Sequence, residues 1–497
     1  MSITEQTENK FNSEKNIRAP IDVDANTLTV GQTAIVSEPS ADINGNVVFM
    51  TGNWWAARST DGGKTFSFVD PTSDFPTFCC DQDVIYNEKH NVWVWYRQGF
   101  FDSSLGGSGF KNDVKISVST DNAMTWCSIQ LTATDLNPGL TDHFIDYPHL
   151  QTSDDKLHIT TNIFDNVAPN LFTASIRLDL AELATCSFPV QVFLSSTEFN
   201  FTPVNGASDT MYFAGHLSDT QTLIRSSQDS SDSIGSATVT YPAYAFSGYS
   251  CNLTSTGTNP CGRSDSRIMG GYINNGVVGF VWDAAQAGSF LFPYVNFITV
   301  DASSGTLLSN IPLFSDIAAA NFANLGVTNS GDVGVGLFLM GGTTNPTFLV
   351  GIDDSQTGAN LFDFNTVKTS SHGTAFTSQW GDYIRIKPMQ PDNGRWMGTG
   401  FTMQGGATDT DVENLFVTFG RNTPSDPPCS PPVSGNWIII QNCELMTNTS
   451  INANVVIQNN SILTIPNGIT LDIDFANFNL TVESGSGIEI KSGGAIT

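Results

Sequence analysis

The sequence predicts an all-β protein dominated by one large domain of repeated sheet units, and three observations lead to that prediction. Short segments rich in Val, Ile, Phe, Tyr and Trp alternate with clusters of Gly, Asn, Asp and Ser from about residue 28 to 421. No segment has a sustained helical period with caps, and only residues 178–184 resemble a short helix. A polar or acidic residue also opens a pair of hydrophobic segments about seven times in this region.

The repeats are spaced almost evenly along the chain. Their starts lie 58 to 65 residues apart, except for a first interval of 43 residues. A sheet unit of constant length that cannot bury both faces alone is typical of a β-propeller, in which blades bury one another in a ring. We therefore predict seven blades, with six as the alternative because the first interval is short; two β-sandwiches explain the period poorly. The repeats start at Glu38, Asp81, Asp146, Asn205, Asp265, Asn324 and Asp382.

Other regions flank this domain. Residues 1–27 are predicted to form a disordered arm, residues 28–421 the propeller, and residues 422–433 a Pro-rich linker. In the C-terminal region, 434–497, the segment NVVIQNNSILTI at Asn454 is followed 25 residues later by the similar NLTVESGSGIEI at Asn479. Two short strands about a polar turn in each copy predict a small parallel β-helix or solenoid-like module. Such a module is expected to stack on itself or on a partner.

Composition excludes several kinds of partner. Lys and Arg number 20 against 48 Asp and Glu, which gives a formal net charge of −28. That charge argues against nucleic acid or an anionic membrane surface as the main partner. No apolar run approaches the roughly 18 residues of a membrane-spanning helix, so the sequence predicts no membrane span.

The eight cysteines contain no Cys-x-x-Cys pair, which disfavours a zinc or thioredoxin-type site. Their spacing predicts Cys251–Cys261 and Cys429–Cys443 disulfides, with buried free thiols as the alternative. The remaining four are expected to pair among themselves in one of three connectivities: Cys79, Cys80, Cys127 and Cys186. Disulfides favour an extracellular or cell-surface location, although no signal peptide is visible at the N-terminus.

Two segments with the same pattern, STDGGKTF at 59–66 and STDNAMTW at 119–126, start 60 residues apart. Their Ser and Asp side chains can bind the backbone N–H groups of a hairpin turn. Gly63 can supply a positive φ there, and Ala123 stands in its place in the second copy. Both segments resemble the Asp box of bacterial-neuraminidase-type (BNR) repeats, S-x-D-x-G-x-T-W/F. Residues 78–82, 146–149 and 380–383 are similar to the blade openings of secreted prokaryotic sialidase-like propellers, so the resemblance covers about residues 30–421.

The residues that open the blades predict a site on the propeller axis. The first strand of each blade lines that axis, so its opening side chains converge on one face. The candidates for acid, base or nucleophile are Asp81, Asp83, Asp146, His149, Asp382 and Tyr383. The candidates for ligand binding are Glu38, Asn205, Arg263, Asp265, Arg267, Arg385, Trp54 and Trp55.

Two functions fit these residues. The first is a non-catalytic extracellular or cell-surface propeller that binds glycan or protein through its axial face. The second is a sialidase-like glycoside hydrolase or lyase, in which two carboxylates act as acid and base. The resemblance implies a Tyr nucleophile, three Arg that clamp a substrate carboxylate, and an N-terminal Arg-Ile-Pro motif. The nearest string to that motif is IRAP at 17–20, which favours the first function. Neither function demands a cofactor, although the acidic residues could hold Ca²⁺ through oxygen ligands.

Overall fold

The structure, a computed structural model, contains seven four-stranded antiparallel sheets followed by three three-stranded parallel sheets. The chain divides into two compact units, Met1–Gly420 and Arg421–Thr497. The residues that the structure describes are 21–28, 37–101, 111–165, 172–357, 361–373, 380–391, 394–406, 408–421, 429, 431–432, 434–459, 461–466, 468–490 and 493–497.

The seven antiparallel sheets are the blades of a β-propeller, which confirms the predicted fold and the count of seven. The N-terminal strand is β1 (Ile21–Leu28). Blade 1 consists of β2 (Ser40–Asn44), β3 (Val47–Gly52), β4 (Trp55–Ser59) and β5 (Ser67–Val69). Blade 2 consists of β6 (Phe78–Asn87), β7 (Val92–Gly99), β8 (Asp113–Ser119) and β9 (Cys127–Thr132). Blade 3 consists of β10 (His143–Thr152), β11 (Lys156–Asp165), β12 (Phe172–Asp179) and β13 (Gln191–Ser195). Blade 4 consists of β14 (Phe199–Pro203), β15 (Thr210–Ser218), β16 (Gln221–Gln228) and β17 (Ile234–Thr240). Blade 5 consists of β18 (Ile268–Asn274), β19 (Val277–Ala284), β20 (Tyr294–Asp301) and β21 (Thr306–Leu313). Blade 6 consists of β22 (Ala319–Val327), β23 (Val333–Gly341), β24 (Thr344–Asp353) and β25 (Asp363–Thr369). Blade 7 consists of β26 (Ile386–Pro388), β27 (Trp396–Met403) and β28 (Val412–Arg421), with β1 as its fourth strand.

Strand β1 closes the ring by pairing with β28 from the other end of the domain. Sequence analysis assigned residues 21–27 to a disordered arm, and this boundary is wrong. Ile21 and Leu28 are buried at 5% and 3% exposure, so the strand contributes to the core. Its hydrogen-bonding partner is remote in sequence, which leaves no local signal for the pairing. The remainder of the predicted arm, 1–20, lies outside the described residues.

Short helices join some strands. They are α1 (Ala133–Leu136), α2 (Leu180–Leu183) and the 3₁₀ turns Pro260–Arg263 and Asp409–Asp411. The predicted short helix at 178–184 is confirmed by α2. It starts where the Asp179 carboxylate accepts hydrogen bonds from the backbone N–H groups of Ala181 and Glu182. No helix among the described residues is long and apolar enough to cross a membrane.

The first strands of blades 2 to 6 begin with β-bulges. In β10, Asp146 pairs with Asn162 and His149 pairs with Thr160, so Tyr147 and Pro148 together face one residue. Tyr147 takes a φ of 62°, and residues at the corresponding bulges of β14 and β22 also take positive φ values. A bulge bends the strand and redirects the side chains beside it. The side chains at these blade openings therefore do not alternate regularly between the two faces of the sheet.

The hairpin turns of the two S-T-D segments form the predicted hydrogen bonds. The Asp61 carboxylate accepts from the backbone N–H groups of Lys64 (3.0 Å) and Thr65 (2.9 Å), and from the Ser59 hydroxyl (2.7 Å). The second copy has the same bonds around Asp121, because Ala123 itself adopts a positive φ of 58°. The missing glycine therefore does not alter the turn.

All eight cysteines form disulfides, and both predicted local pairs, Cys251–Cys261 and Cys429–Cys443, are confirmed. The other four cysteines, for which the sequence left three pairings open, form Cys79–Cys80 and Cys127–Cys186. The second of these bonds joins the start of β9 to the segment after α2, and so links blades 2 and 3.

The C-terminal unit contains three parallel sheets, and each of three successive coils gives one strand to each sheet. The first coil contains β29 (Trp437–Ile439), β30 (Cys443–Glu444) and β31 (Thr449–Ile451). The second contains β32 (Val455–Ile457), β33 (Ile462–Ile465) and β34 (Thr470–Ile473). The third contains β35 (Leu480–Val482), β36 (Gly487–Ile490) and β37 (Ala495–Ile496). The interior is apolar, with Val455, Leu463 and Leu471 fully buried. Side-chain amides such as that of Asn454, which accepts from the Asn479 N–H at 2.9 Å, join successive coils.

Polar side chains tie neighbouring blades together around the propeller axis. The Asn324 amide donates to the Met269 carbonyl in blade 5 (2.8 Å) and accepts from the Ile386 N–H in blade 7 (2.9 Å). The Thr160 hydroxyl donates to the Phe201 carbonyl in blade 4 (2.7 Å). Each bond satisfies a buried backbone group that the antiparallel ladders leave open.

Asp83 and Arg385 form a buried ion pair at the axis. Arg385 donates from Nε (3.1 Å) and Nη2 (2.8 Å) to Asp83 Oδ2, and both side chains are almost fully buried. The same carboxylate accepts from the Ser40 hydroxyl (2.5 Å) and the Leu150 N–H (3.0 Å). Four blades therefore meet at one carboxylate. Despite burial, Arg385 and Lys387 hold the pKa of Asp83 below its usual value.

Replacing Arg385 by Met is expected to lower the free energy of unfolding at neutral pH by about 3–5 kcal/mol, because it leaves a buried carboxylate without its cation. In the wild type the lowered pKa of Asp83 stabilises the fold above the unfolded pKa near 4, and this contribution is lost as the pH falls through the folded value. The difference in the free energy of unfolding between wild type and variant should therefore become smaller towards pH 3. Urea denaturation at pH 7 and pH 3 measures it.

Arg395→Met is the matched control, since Arg395 pairs with the half-exposed Asp22 at 3.2 Å and should matter little. Arg385→Met could lower the free energy of unfolding no more than Arg395→Met does, or by an amount that does not change with pH. Either result would contradict the assignment of Asp83–Arg385 as the contact that joins the blades at the axis.

Candidate functional site

The seven first strands run in the same direction, so their beginnings define one face of the propeller, here called the upper face. Antiparallel pairing then places the turns after the first and third strands of each blade on the opposite, lower face. The Asp61 turn, between β4 and β5, lies on the lower face near the rim. The blade openings lie on the upper face near the axis.

Seven charged residues from the blade openings come together there and are called the axial cluster. They interact by ion pairing, hydrogen bonding or charge at short range, and they come from blade 1, blade 2, blade 3, the connection between blades 4 and 5, and the segment before β26. The members are Glu38, Asp81, Asp146, Arg263, Asp265, Arg267 and Asp382.

A long connection between β17 and β18 carries the arginines of the cluster. The Cys251–Cys261 disulfide closes it, and Leu253 forms a backbone bridge with Gly342 of blade 6. Cys251 and Cys261 are almost fully buried, so the connection is anchored rather than loose. The 3₁₀ turn Pro260–Arg263 contains Cys261, and residues 264–267 connect it to β18.

Glu38 and Asp81 form a hydrogen-bonded carboxyl pair within the cluster. Burial raises the pKa of Glu38 well above its usual value, and the charges of Asp81 and Asp382 raise it further. Burial also raises the pKa of Asp81, with Asp146 and Asp382 adding to the effect. Two hydrogen-bonded carboxyl groups, of which Glu38 is buried and Asp81 partly exposed, hold one proton between them more easily than they hold two negative charges. The Asn53 amide donates to Glu38 Oε2 (3.1 Å) and orients the pair.

Asp382 lies between the two arginines. Its carboxylate oxygens are 3.4 Å from Arg263 Nε and 3.7 Å from Arg267 Nη2. Arg267 also donates to Asp265, and its guanidinium stacks on the Tyr147 ring at 3.9 Å. Burial raises the pKa of Asp382, while both arginines oppose the rise. The two cations are therefore held by carboxylates of the protein itself.

Tyr383 and His149 lie in a deeper layer beneath the cluster. Tyr383 is 1% exposed, donates to the Gln82 carbonyl (3.3 Å), and has its pKa raised well above its usual value by burial. His149 is 4% exposed, and burial followed by the charge of Arg385 holds its pKa well below its usual value. His149 is thus neutral at physiological pH. A cavity of only about 10 Å³ is lined by His149 and Arg385 together with residues of blades 4, 5 and 6.

Eleven of the fourteen predicted site residues therefore divide into two groups by depth. The seven members of the axial cluster were all predicted from sequence. Asp83, His149, Tyr383 and Arg385 lie below them and are buried, so they support the cluster from beneath. Of the three arginines predicted to bind ligand, Arg263 and Arg267 belong to the axial cluster, whereas Arg385 pairs with the buried Asp83 instead.

Two predicted ligand-binding residues lie elsewhere. Asn205 follows the end of β14, where it accepts from the Val327 N–H (2.8 Å), and it lines a cavity of about 310 Å³ at the lower face. The blade opening of that repeat was misplaced because the strand starts at Phe199. Trp55 is fully buried in a hydrophobic cluster that also contains Met397 and Phe416 of blade 7, so it is a core residue. Its neighbour Trp54, at the β3–β4 turn, is 38% exposed on the upper face.

Sequence reasoning missed three contributors to the site. Tyr147 supports Arg267 through its ring and donates from its hydroxyl to the Asp382 carbonyl (3.3 Å). Gln98 donates to Asp146 Oδ1 (3.0 Å). Phe199 lies 5.9 Å from the Arg267 guanidinium and is 39% exposed. Only Tyr147 had a signal in the sequence, because it stands between two predicted site residues.

The upper face carries most of the exposed apolar side chains of the propeller. Among the described residues of Met1–Gly420, twelve large apolar side chains are exposed, and eight belong to segments of the upper face. These eight are Trp54, Phe100, Phe101, Phe199, Leu217, Phe246, Leu291 and Ile317. The other four lie on outer strands or on lower-face turns: Phe68, Met124, Leu308 and Leu361.

Within the described part of the chain, no group of three or more His, Cys, Asp or Glu side chains has the arrangement of a metal site. Calcium binding therefore remains a prediction from composition.

Comparisons with known proteins give structural likenesses only. No protein-family model matches the chain, and no curated protein matches it significantly. An α-L-arabinanase from Penicillium chrysogenum, crystallised with arabinobiose, is 12% identical with a TM-score of 0.37, covering 78% of this chain and 98% of its own. The β-propeller domain of the Trilobed protease from Pyrococcus furiosus is 9% identical with a TM-score of 0.41, covering 78% and 95%. A polysaccharide lyase, Uly1, is 11% identical with a TM-score of 0.41, covering 84% and 95%.

Removing the carboxyl pair should change how stability depends on pH. Because the pKa values of Glu38 and Asp81 are raised in the fold, the native protein retains a proton that the unfolded chain releases above about pH 4. The free energy of unfolding should therefore fall with rising pH by up to about 1.4 kcal/mol per pH unit for one such proton. The double variant Glu38→Gln/Asp81→Asn should lose this part of the slope in urea denaturations at pH 5, 6 and 7.

The exposed glutamate Glu88 provides the control, since Glu88→Gln should keep the wild-type slope. If the double variant also kept that slope, the two carboxyl groups would not share a proton in the folded protein.

Proposed function

We propose that the protein binds a neutral glycan on the upper face of its propeller, with the axial cluster as the polar centre of the site. The observation that carries the proposal is the coincidence, on one face, of the converging carboxyl and guanidinium groups with most of the exposed aromatic side chains. Carboxylate and guanidinium groups bind sugar hydroxyls through directional hydrogen bonds. Aromatic rings bury the apolar faces of sugars.

Contact between the two kinds of group supports this proposal. Phe199 lies beside Arg267, which in turn rests on Tyr147 and pairs with Asp265. A sugar ring placed on Phe199 would have hydrogen-bonding groups at its edge. Scattered aromatic residues among polar neighbours suit separate sugar units better than one continuous protein interface.

The charge of the cluster favours a neutral ligand. Arg263 and Arg267 are matched by Asp265 and Asp382, and Asp146 adds a further carboxyl group. A substrate carboxylate would meet no excess positive charge, and the protein as a whole has a formal charge of −28. Sialic acid is therefore a poor fit, although the S-T-D turns resemble Asp boxes.

A glycan array that contains neutral glycans, uronic acids and α-linked sialosides provides the test. Binding to neutral glycans without binding to sialosides is expected. On the best neutral glycan, Arg267→Met and Asp382→Asn should weaken binding at least tenfold by calorimetry, since each removes a charged hydrogen-bonding group. Phe199→Ala should weaken it several-fold through lost stacking.

Asp61→Ala is the control, because the Asp61 turn lies on the lower face. It should lower the melting temperature through lost turn hydrogen bonds and leave binding intact. Loss of binding in folded Asp61→Ala protein, or unchanged binding in both axial variants, would contradict an upper-face site.

Glycoside cleavage is a second candidate, and the Glu38–Asp81 pair favours it. A carboxyl group whose pKa is raised by burial, as that of Glu38 is, can donate a proton to a leaving oxygen. Asp146 or Asp382 would then serve as the base or nucleophile. The pair supplies the acid of this chemistry within the same cluster, so one site serves both candidates.

Turnover distinguishes the candidates. If the protein cleaves glycans, a reducing-end assay on the bound glycan should show turnover that falls at least about a hundredfold in Glu38→Gln, with binding retained. Binding without turnover in the wild type would support the binding function and contradict glycoside cleavage.

Four disulfides support a site of action outside the cytoplasm, at the cell surface or beyond it. The C-terminal stack is proposed to pack on itself or on a partner, since its last coil leaves Val482 and Ile490 exposed at 43% and 48%.

A further inference from the structure

The Cys79–Cys80 disulfide joins two adjacent residues at the opening of blade 2. Strand β6 has a bulge there, since Phe78 pairs with Gly99 and Gln82 with Arg97. Cys79, Cys80 and Asp81 all face the single residue Gln98. Cys79 is 1% exposed and Cys80 is partly exposed.

The bulge of β6 is larger than those of β10, β14 and β22. In β10, β14 and β22 two residues face one, whereas in β6 three residues face one. A longer bulge leaves more backbone without ladder hydrogen bonds, and so with more conformational freedom. The disulfide closes a small ring across the Cys79–Cys80 peptide unit and removes that freedom where the ladder cannot.

The third residue of the bulge is Asp81, whose carboxyl group is hydrogen-bonded to Glu38 of blade 1. The position of Asp81 therefore depends on the two residues before it. The other charged or titratable groups that face Asp81 are Asp146, Arg263, Asp382, Tyr96 and Tyr383.

We propose that the Cys79–Cys80 disulfide holds the Asp81 carboxyl group against Glu38, which makes Cys79 and Cys80 positioning residues of the axial cluster. The importance of this arrangement for ligand binding rests on the proposed function, but the arrangement itself does not. Reduction by a dithiol would transfer two electrons and two protons to the disulfide, giving two thiols and an oxidised reductant. The bulge would then be free to move Asp81 away from Glu38.

Infrared spectroscopy tests the proposal without any ligand. The C=O band of protonated carboxyl groups is followed against pH, and the contribution of the pair is identified by its loss in Asp81→Asn. In Cys79→Ser/Cys80→Ser this contribution should titrate at least one pH unit lower than in the wild type, because Glu38 and Asp81 no longer share a proton. A purely structural disulfide would leave the titration of the pair unchanged.

Two controls accompany the measurement. Cys127→Ser/Cys186→Ser removes a disulfide remote from the cluster and should keep the wild-type titration of the pair. Asp283, whose pKa burial raises to about 8, gives a reference band that persists only while the propeller is folded. This band is assigned with Asp283→Asn.

An unchanged titration of the pair in folded Cys79→Ser/Cys80→Ser would overturn the proposal. If that variant does not fold, the measurement is made on wild-type protein treated with dithiothreitol, with alkylation and mass spectrometry to identify the opened disulfides. Opening of Cys79–Cys80 without a downward shift would overturn the proposal equally. The titration of the pair could shift downward on loss of the disulfide while the wild-type protein binds no glycan. That result would support the positioning role and refute only the proposed function.

Discussion

The carboxylate of Asp83 accepts hydrogen bonds from the Ser40 hydroxyl, the Leu150 N–H and the Arg385 guanidinium, which belong to three blades other than its own. A ring of blades has a crowded axis, where each first strand must satisfy its backbone groups without a further strand beside it. A buried charge at that point is costly unless it is fully paired. Full pairing of Asp83 requires blades 1, 2, 3 and 7 to occupy their places together, so this contact couples ring closure to the geometry of the upper face.

The axial cluster lies directly above this ion pair, which holds the strands that carry the cluster in place. Tyr383 connects the two layers, since its ring lies 4.4 Å from the Arg385 guanidinium while its chain neighbour Asp382 pairs with Arg263 and Arg267. The supporting layer is buried and largely paired, whereas the cluster retains partly exposed acids and cations. Such a division suits recognition, because groups that meet a ligand are preorganised by groups that do not. The same preorganisation would serve proton transfer from Glu38–Asp81, which explains why binding and cleavage both fit one site.

Much of this arrangement could be predicted from sequence because it depends on periodicity. The repeat spacing predicted seven blades, and the residues that open them included every member of the axial cluster. The errors lie where position along the chain misleads. Asn205 was aligned with the blade openings, although its strand starts at Phe199. Trp55 follows an exposed tryptophan but is itself buried, because Trp54 lies in the β3–β4 turn whereas Trp55 begins strand β4.

The sequence by itself determined the all-β class, the blade repeat, the turns at Asp61 and Asp121, and two local disulfides, because each depends on residues close together in the chain. Only the tertiary structure decided the closure of blade 7 by β1, the Cys127–Cys186 bond, and the division of predicted site residues into an exposed cluster and a buried support. It also decided that Arg385 serves Asp83 instead of a ligand. These features depend on distances between residues that ring closure brings together, and no local pattern of residues encodes such distances.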